Sequence, residues 1–266
     1  MSSHTIFSIC ESERYVYPHP KNYEAYAIRL ARSIRKNGGK YKDVKIKMWF
    51  GEDAPPSKES ILKLSDFGCD LQAGQCIYKN HPVYNKIEAC GMDFDTDYAM
   101  WMDSDMYVMG DMSEILETTK DVVVSPDQNA MHRWSRTDED DKWEQIFKTL
   151  GTTKPETKIR CHIDGRDGNF YFCSGIFMFK TGIGFPQLYK GCATGIINLG
   201  GPFTENFTQT GLGMAVHIGG YTYDLIPERY HYFYTLHDKK LASDTVVVHY
   251  QDNKVTEIPN EEWNVI

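Results

Sequence analysis

Two carboxylates one residue apart close an apolar run in Tyr98-Ala-Met-Trp-Met-Asp103-Ser-Asp105-Met-Tyr-Val-Met. A buried strand that ends in two acids carries a desolvation cost unless a cation or hydrogen-bond donors neutralise them. Hard divalent ions such as Mg²⁺ and Mn²⁺ take oxygen ligands, and often bind through one or two carboxylates plus the phosphates of a substrate. Asp103 and Asp105 are therefore a candidate platform for a metal–diphosphate. The competing reading is a turn with capping aspartates, because a bare Asp-x-Asp arises by chance in many chains. Its place directly after an apolar strand favours the metal. A second apolar run, Thr245-Val-Val-Val-His249-Tyr250, ends in a histidine. His249 would complete an Asp-Asp-His set, and imidazole suits Mn²⁺ better than Mg²⁺. A lone histidine is more often a satisfied core or surface residue, so His249 counts only beside the two aspartates.

The elements that must position these residues follow from periodicity. Thr5–Cys10 is short, apolar and β-prone. Asn22–Lys36 carries Tyr23, Tyr26, Ala27, Leu30, Ala31 and Ile34 at helical spacing and stops at Gly38-Gly39. Val44–Phe50 alternates as a half-buried strand does. Ser57 is the expected N-cap of a helix whose apolar side holds Leu62, Leu64 and Phe67. Cys69–Ala73 reads as a strand, Pro82–Met92 as a helix and Tyr98–Met102 as a strand. Alternation of this kind predicts a mostly parallel α/β sheet with helices on both faces. Such sheets bind ligands beyond the carboxyl ends of their strands, here Cys10–Tyr17 and the residues after Met102. The second half is less regular. Strands are expected at Asp121–Val124, Phe170–Lys180, Thr222–Ile226 and Thr245–Tyr250, a helix at Glu205–Ile218, and a polar connection over Lys154–Asn169. The run Asp138-Glu139-Asp140-Asp141 reads as a solvated loop or helix N-terminus, and no repeat or linker marks a domain boundary.

Composition narrows the function classes. Of 266 residues, 41% are hydrophobic and 25% charged, which matches globular chains and excludes collagen-like or disordered ones. Lys and Arg number 29 against 37 Asp and Glu, a net charge of −8. Nucleic acid is thus not an expected partner, because sequence-independent binding leans on basic residues. No apolar run approaches the roughly 18 residues a bilayer needs, and the first ten residues lack the basic and apolar regions of a secretory signal. The cysteines at 10, 69, 76, 90, 161, 173 and 192 are scattered, with no Cys-x-x-Cys pair. That pattern disfavours a disulfide framework or zinc site and points to a reducing, cytoplasmic setting. With 17 Tyr and 5 Trp, the chain has flat rings with polar edges of the kind that line sugar clefts.

Six segments in order carry a family resemblance. They are Tyr84-Asn-Lys86-Ile-Glu-Ala89, Met100-Trp-Met-Asp103-Ser-Asp105, Val124-Ser-Pro-Asp127, Phe172-Cys-Ser174-Gly175-Ile-Phe-Met-Phe179, Thr208-Gln209-Thr-Gly-Leu212 and Val248-His249-Tyr250. Together they resemble the GT-A fold of nucleotide-sugar-dependent glycosyltransferases, within it the glycogenin-like and lipopolysaccharide galactosyltransferase-like group. The resemblance covers roughly residues 5–255. It implies a single GT-A domain over residues 1–266, with a nucleotide-binding half of about 1–125 and an acceptor and sugar side of about 126–266. It further implies a Rossmann-like, mostly parallel sheet and transfer of a hexose or pentose from a UDP- or GDP-sugar to a glycan or protein acceptor. Asp103, Asp105 and His249 would hold Mn²⁺ or Mg²⁺, which stabilises the leaving diphosphate. Cys10, Glu11, Ser12 and Tyr15 would face the nucleoside, Ser104 the ribose, Lys86 the phosphates or the donor sugar, and Lys254 a phosphate. Asp127, Ser174, Gly175 and Gln209 would line the sugar side. Apart from the resemblance, His132, Arg133, Trp134 and Arg136 in the polar segment after Asp127 read either as an acceptor-facing loop with Trp134 as a sugar platform or as a surface loop with a packed Trp.

Three positions depart from the group: Lys254 in its spacing from His249, Cys173 where the group has Asn before Ser-Gly, and Thr208 where it has Asp before Gln. A retaining outcome follows from the resemblance, with Gln209 among the catalytic candidates. An inverting one needs a general base, for which Asp127 and Glu205 are the candidates; Glu205 also reads as a helix N-terminal acid. The alternatives are a nucleotidyltransferase, disfavoured by the lack of glycine in Cys10-Glu-Ser-Glu-Arg-Tyr15, and a degenerate sugar-binding member of the fold, suggested by the departures at Cys173 and Thr208.

Overall fold

The structure is a computed structural model that describes residues 2–12, 22–78, 82–128, 140–251 and 253–263. It divides into two compact units, Met1–Thr118 with Pro227–Ile266, and Thr119–Ile226.

The first unit begins with β1 (His4–Ile9), α1 (Tyr23–Asn37), β2 (Lys45–Gly51), α2 (Lys58–Asp66), β3 (Cys69–Gly74), α3 (Asn85–Ala89), β4 (Tyr98–Met102), β5 (Met106–Val108) and α4 (Ser113–Leu116). Strands β3, β2, β1 and β4 lie side by side and all run parallel. Every residue of β1 and β4 is buried, as in a parallel sheet covered on both faces. Buried hydroxyls in β1 are paired: Ser8 Oγ donates to the Met102 carbonyl at 2.6 Å, tying β1 to the last residue of β4. Helix caps follow the expected chemistry. The Asn22 side chain accepts from Ala25 N at 2.8 Å, and Ser57 Oγ accepts from Ser60 N at 3.2 Å.

Two expectations are corrected here. Leu62 is 64% exposed while Leu64 is buried; residues two apart on an α-helix are about 200° apart, so they cannot share an apolar side. The expected helix Pro82–Met92 is a 3₁₀ turn, Pro82–Tyr84, followed by the short α3.

The second unit holds β6 (Val122–Pro126), α5 (Asp140–Leu150), β7 (Ile159–Arg160), β8 (Asp167–Gly168), β9 (Phe172–Lys180), α6 (Phe185–Ile197), α7 (Phe207–Gly219) and β10 (Tyr223–Leu225). Strand β6 pairs with β10 in parallel and with β9 antiparallel, with a register shift between Val124 and Ser125. The small β7–β8 pair breaks the expected polar connection. Helix α6 was not apparent from the pattern, although Tyr189, Cys192, Ala193 and Ile196 are buried on one side; glycines and a first-turn proline dilute the signal. Helices α6 and α7 meet at small residues, where a Cβ on Gly211 would lie 3.0 Å from the Ala193 backbone.

The chain then returns to the first unit with β11 (Tyr232–Phe233), β12 (Val247–His249) and α8 (Asn260–Trp263). Strand β12 pairs with β11 in parallel and with β5 antiparallel. Helix α8 is latched to α1. Arg29 donates to Tyr250 Oη (2.8 Å) and to the carbonyls of Glu262 (3.3 Å) and Trp263 (3.0 Å), and its guanidinium lies 4.4 Å from the Trp263 ring centroid. No helix among the described residues is long and apolar enough to cross a membrane.

Candidate active site

Strand β4 ends at Met102 and β5 begins at Met106, so Asp103, Ser104 and Asp105 form the connection between them. The register of β5 on β12 sets Met106 opposite His249 and Val108 opposite Val247. Tyr250 N donates to the Asp105 carbonyl at 3.1 Å and extends the ladder. Because residues facing each other across an antiparallel pair are about 5 Å apart, this register brings His249 beside Met106, one residue from Asp105 in the connection that precedes β5. His249 Nε2 lies 3.1 Å from Asp105 Oδ1. One donor atom from each of Asp103, Asp105 and His249 falls within 4.8 Å of the others. The side chains are 24%, 19% and 7% exposed respectively, so the acids are open on one side to a ligand. Two carboxylates and one imidazole at this spacing fit a divalent ion of the Mn²⁺ kind.

The site's other charge is Lys86, which is almost fully buried. Its Nζ pairs with Asp103 Oδ1 at 2.8 Å and lies 5.2 Å from the Trp101 ring centroid. Trp101 Nε1 donates to the same carboxylate oxygen at 2.9 Å. Burial on its own would lower the pKa of His249, but Asp105, at hydrogen-bond distance, and then Asp103 outweigh it, and the ring's pKa lies above the ordinary imidazole value. Ile9, Tyr23, Val83 and Ser104 line the cleft beside Lys86 and the two aspartates.

Of the residues expected on the nucleoside side, Glu11 and Ser12 are buried just past β1. Glu11 Oε1 accepts from Asn85 Nδ2 at 2.7 Å, next to Lys86. Cys10 is fully buried, its backbone N–H donates to the Trp49 carbonyl (2.9 Å), and burial with nearby Glu24 pushes its thiol pKa far up. Lys254 is exposed in the same unit. Tyr15, His132, Arg133, Trp134 and Arg136 lie outside the described residues.

The sugar-side candidates belong to the second unit. Asp127 follows β6, nearly buried, and its Oδ1 accepts from Gln128 N at 2.8 Å. Ser174 Oγ donates to Thr208 Oγ1 (3.1 Å), which donates to Gln209 Oε1 (3.1 Å). Tyr189 Oη donates to the Thr208 carbonyl at 3.0 Å. Thr208 thus fills its position as a hydroxyl relay between Ser174 and Gln209. Gly175 is buried in β9 beside Ser174, while Glu205 is exposed ahead of α7. Sequence reasoning missed Trp101, Asn85 and His231. Trp101 had a signal, since residues two apart on a strand share a face. His231, 3.2 Å from His249 through its Nε2, had none; only strand pairing brings it there.

A family model described as a Rhodobacterales glycosyltransferase domain matches residues 15–204. Among solved structures, the chain resembles the galactosyltransferase LgtC in complex with donor and acceptor sugar analogs, at 11% identity and a TM-score of 0.55 over 97% of this chain and 98% of that one. It resembles the glycosyltransferase GlyE of Streptococcus pneumoniae TIGR4 at 12% identity and a TM-score of 0.60, over 99% of this chain but 59% of GlyE. Mouse xyloside xylosyltransferase 1 matches at 10% identity and a TM-score of 0.51, over 97% of this chain and 100% of that one. No curated protein matches in sequence.

Proposed function

The chain belongs to the family of Rhodobacterales glycosyltransferase domains, with the GT-A fold, and from that premise we propose that it moves a hexosyl or pentosyl unit from a UDP- or GDP-sugar to a glycan or protein acceptor, using a divalent ion held by Asp103, Asp105 and His249. The observation that carries this reading is the convergence of three ligand atoms, from residues 103, 105 and 249, within 4.8 Å. The mixed oxygen and nitrogen donor set favours Mn²⁺ over Mg²⁺. When bound, such an ion supplies Lewis-acid stabilisation of the charge that develops on the departing diphosphate.

The chain's own residues divide the remaining work. Lys86, ion-paired to Asp103, is assigned to the phosphates, together with Lys254. Ser104, with Cys10, Glu11 and Ser12 at the end of β1, is assigned to the nucleoside, with the buried Glu11–Asn85 hydrogen bond keeping that wall rigid. Asp127, Ser174, Gly175 and Gln209 are assigned to the sugar, and Asp127 and Glu205 are the candidate general bases for an inverting transfer. A mutant of LgtC with Glu in place of an active-site Gln has been solved; Gln209, held by Thr208, is this chain's candidate for a comparable role. Transfer with retention is the outcome we assign.

Calorimetry with Mn²⁺ and a panel of nucleoside diphosphates tests the proposal. Metal-dependent binding of UDP or GDP is expected, and Asp103→Ala with Asp105→Ala should abolish it. Binding to none of the panel, or binding indifferent to both substitutions, would sink it. A non-catalytic sugar-binding role is the second reading, favoured by Thr208 and Cys173; hydrolysis of a nucleotide sugar without acceptor would exclude it.

A further inference from the structure

His231 is fully buried, and its Nε2 lies 3.2 Å from Nδ1 of His249. The other nitrogen of His249 is the one 3.1 Å from Asp105. The two imidazoles are within 14° of parallel, with centroids 5.4 Å apart, and the Phe233 ring packs 4.5 Å from that of His249. His231 is itself anchored. Its backbone N–H donates to the Glu228 carbonyl at 2.8 Å, and it directly precedes β11, whose Phe233 registers against His249 on β12.

A neutral imidazole carries one N–H and one lone pair. If Nε2 of His249 gives its lone pair to a cation, its proton must sit on Nδ1. Nε2 of His231 then faces a donor and has to accept. The reverse polarity, with His231 donating to Nδ1, leaves the proton of neutral His249 on Nε2, where it blocks the cation. We propose that His231 is a positioning residue that accepts from Nδ1–H of His249 and thereby holds the tautomer and ring orientation that present Nε2 beside Asp103 and Asp105. This rests on the metal reading of the three-residue set. Ligand histidines are commonly oriented by such a partner, whose loss lowers metal affinity roughly 10–100-fold.

The test compares wild type, His231→Phe and His231→Gln by calorimetry with Mn²⁺ alone, each variant first checked by thermal melting. Phe keeps a flat ring against His249 but has no acceptor; Gln restores an acceptor. Wild-type binding, a loss of roughly 10–100-fold in the Phe variant and recovery in the Gln variant are expected. An unchanged Phe variant, or equal losses in both, would overturn the inference while leaving the metal reading intact. Absence of Mn²⁺ binding in wild type would overturn the metal reading and this inference with it. Should either variant fail to fold, long-range ¹H–¹⁵N spectra of the wild-type histidines with diamagnetic Cd²⁺ decide the matter. A proton on Nδ1 of His249 is expected, and one on Nε2 refutes the proposal.

Discussion

A cation entering the Asp103–Asp105–His249 group meets two incumbents. One is the Lys86 ammonium, which with Trp101 already occupies Oδ1 of Asp103. The other is the proton that His249 holds more tightly than an ordinary imidazole does. Because Asp105 and Asp103 outweigh burial and raise that ring's pKa, protonation of His249 contributes stability that is complete below the ordinary imidazole range. That contribution disappears as pH rises through the raised value. A metal ion must displace the same proton. Mn²⁺ affinity is therefore expected to climb with pH through that raised value and level off above it, which calorimetry in a series of buffers measures; a flat profile would mean that His249 is not a ligand. At this scale the sequence was most informative where chemistry was encoded locally, as in Asp103-Ser-Asp105. The partnership of His249 with His231 has no local code, because it spans a β-strand pairing between segments 18 residues apart.

Elements matter to this site through register. Strand β5 has three residues, yet its pairing with β12 sets His249 opposite Met106, one residue from Asp105; a slip of one residue would turn the histidine to the other face. Helix packing in the second unit gives a sharper mechanical test. A Cβ on Gly213 of α7 would lie 2.6 Å from the Phe170 carbonyl oxygen, whereas one on Gly191 of α6 meets nothing within 4 Å. Gly213→Ala is expected to destabilise by about 1–3 kcal/mol through overpacking. Gly191→Ala should stabilise by about 0.5–1 kcal/mol, the ordinary helical gain. Denaturant melts of the two variants against wild type would show opposite shifts, and parallel shifts would refute the close approach of α7 to Phe170. The early alternation of strands and helices was legible because buried parallel strands are long and apolar. Strands β5, β7, β8 and β11, at two or three residues each, are too short to show a period.

For the molecule as a whole, the net charge of −8 gives a global field that does not favour an anion, so the proposed nucleotide-sugar donor would depend on local positive charge, Lys86 and the proposed cation. Ligand that binds only the folded chain stabilises it by mass action, about 2.7 kcal/mol at a hundredfold excess over Kd. Mn²⁺ with UDP or GDP should thus raise the melting temperature by several degrees, and neither should do so in the Asp103→Ala, Asp105→Ala double variant; an equal rise in both proteins would place the ligand elsewhere. From the order of residues alone came the parallel strand–helix alternation, the paired acids at a strand end and the histidine that closes another apolar run, since these depend on hydrophobic period and nearest neighbours. Tertiary structure decided what period cannot encode: the return of Pro227–Ile266 to the first unit, the ladder that brings His249 beside the connection holding Asp103 and Asp105, and the buried histidine at its other nitrogen. Those are contacts between distant segments, selected by the joint packing of strands and rings, and no local stretch of chain contains the information that specifies them.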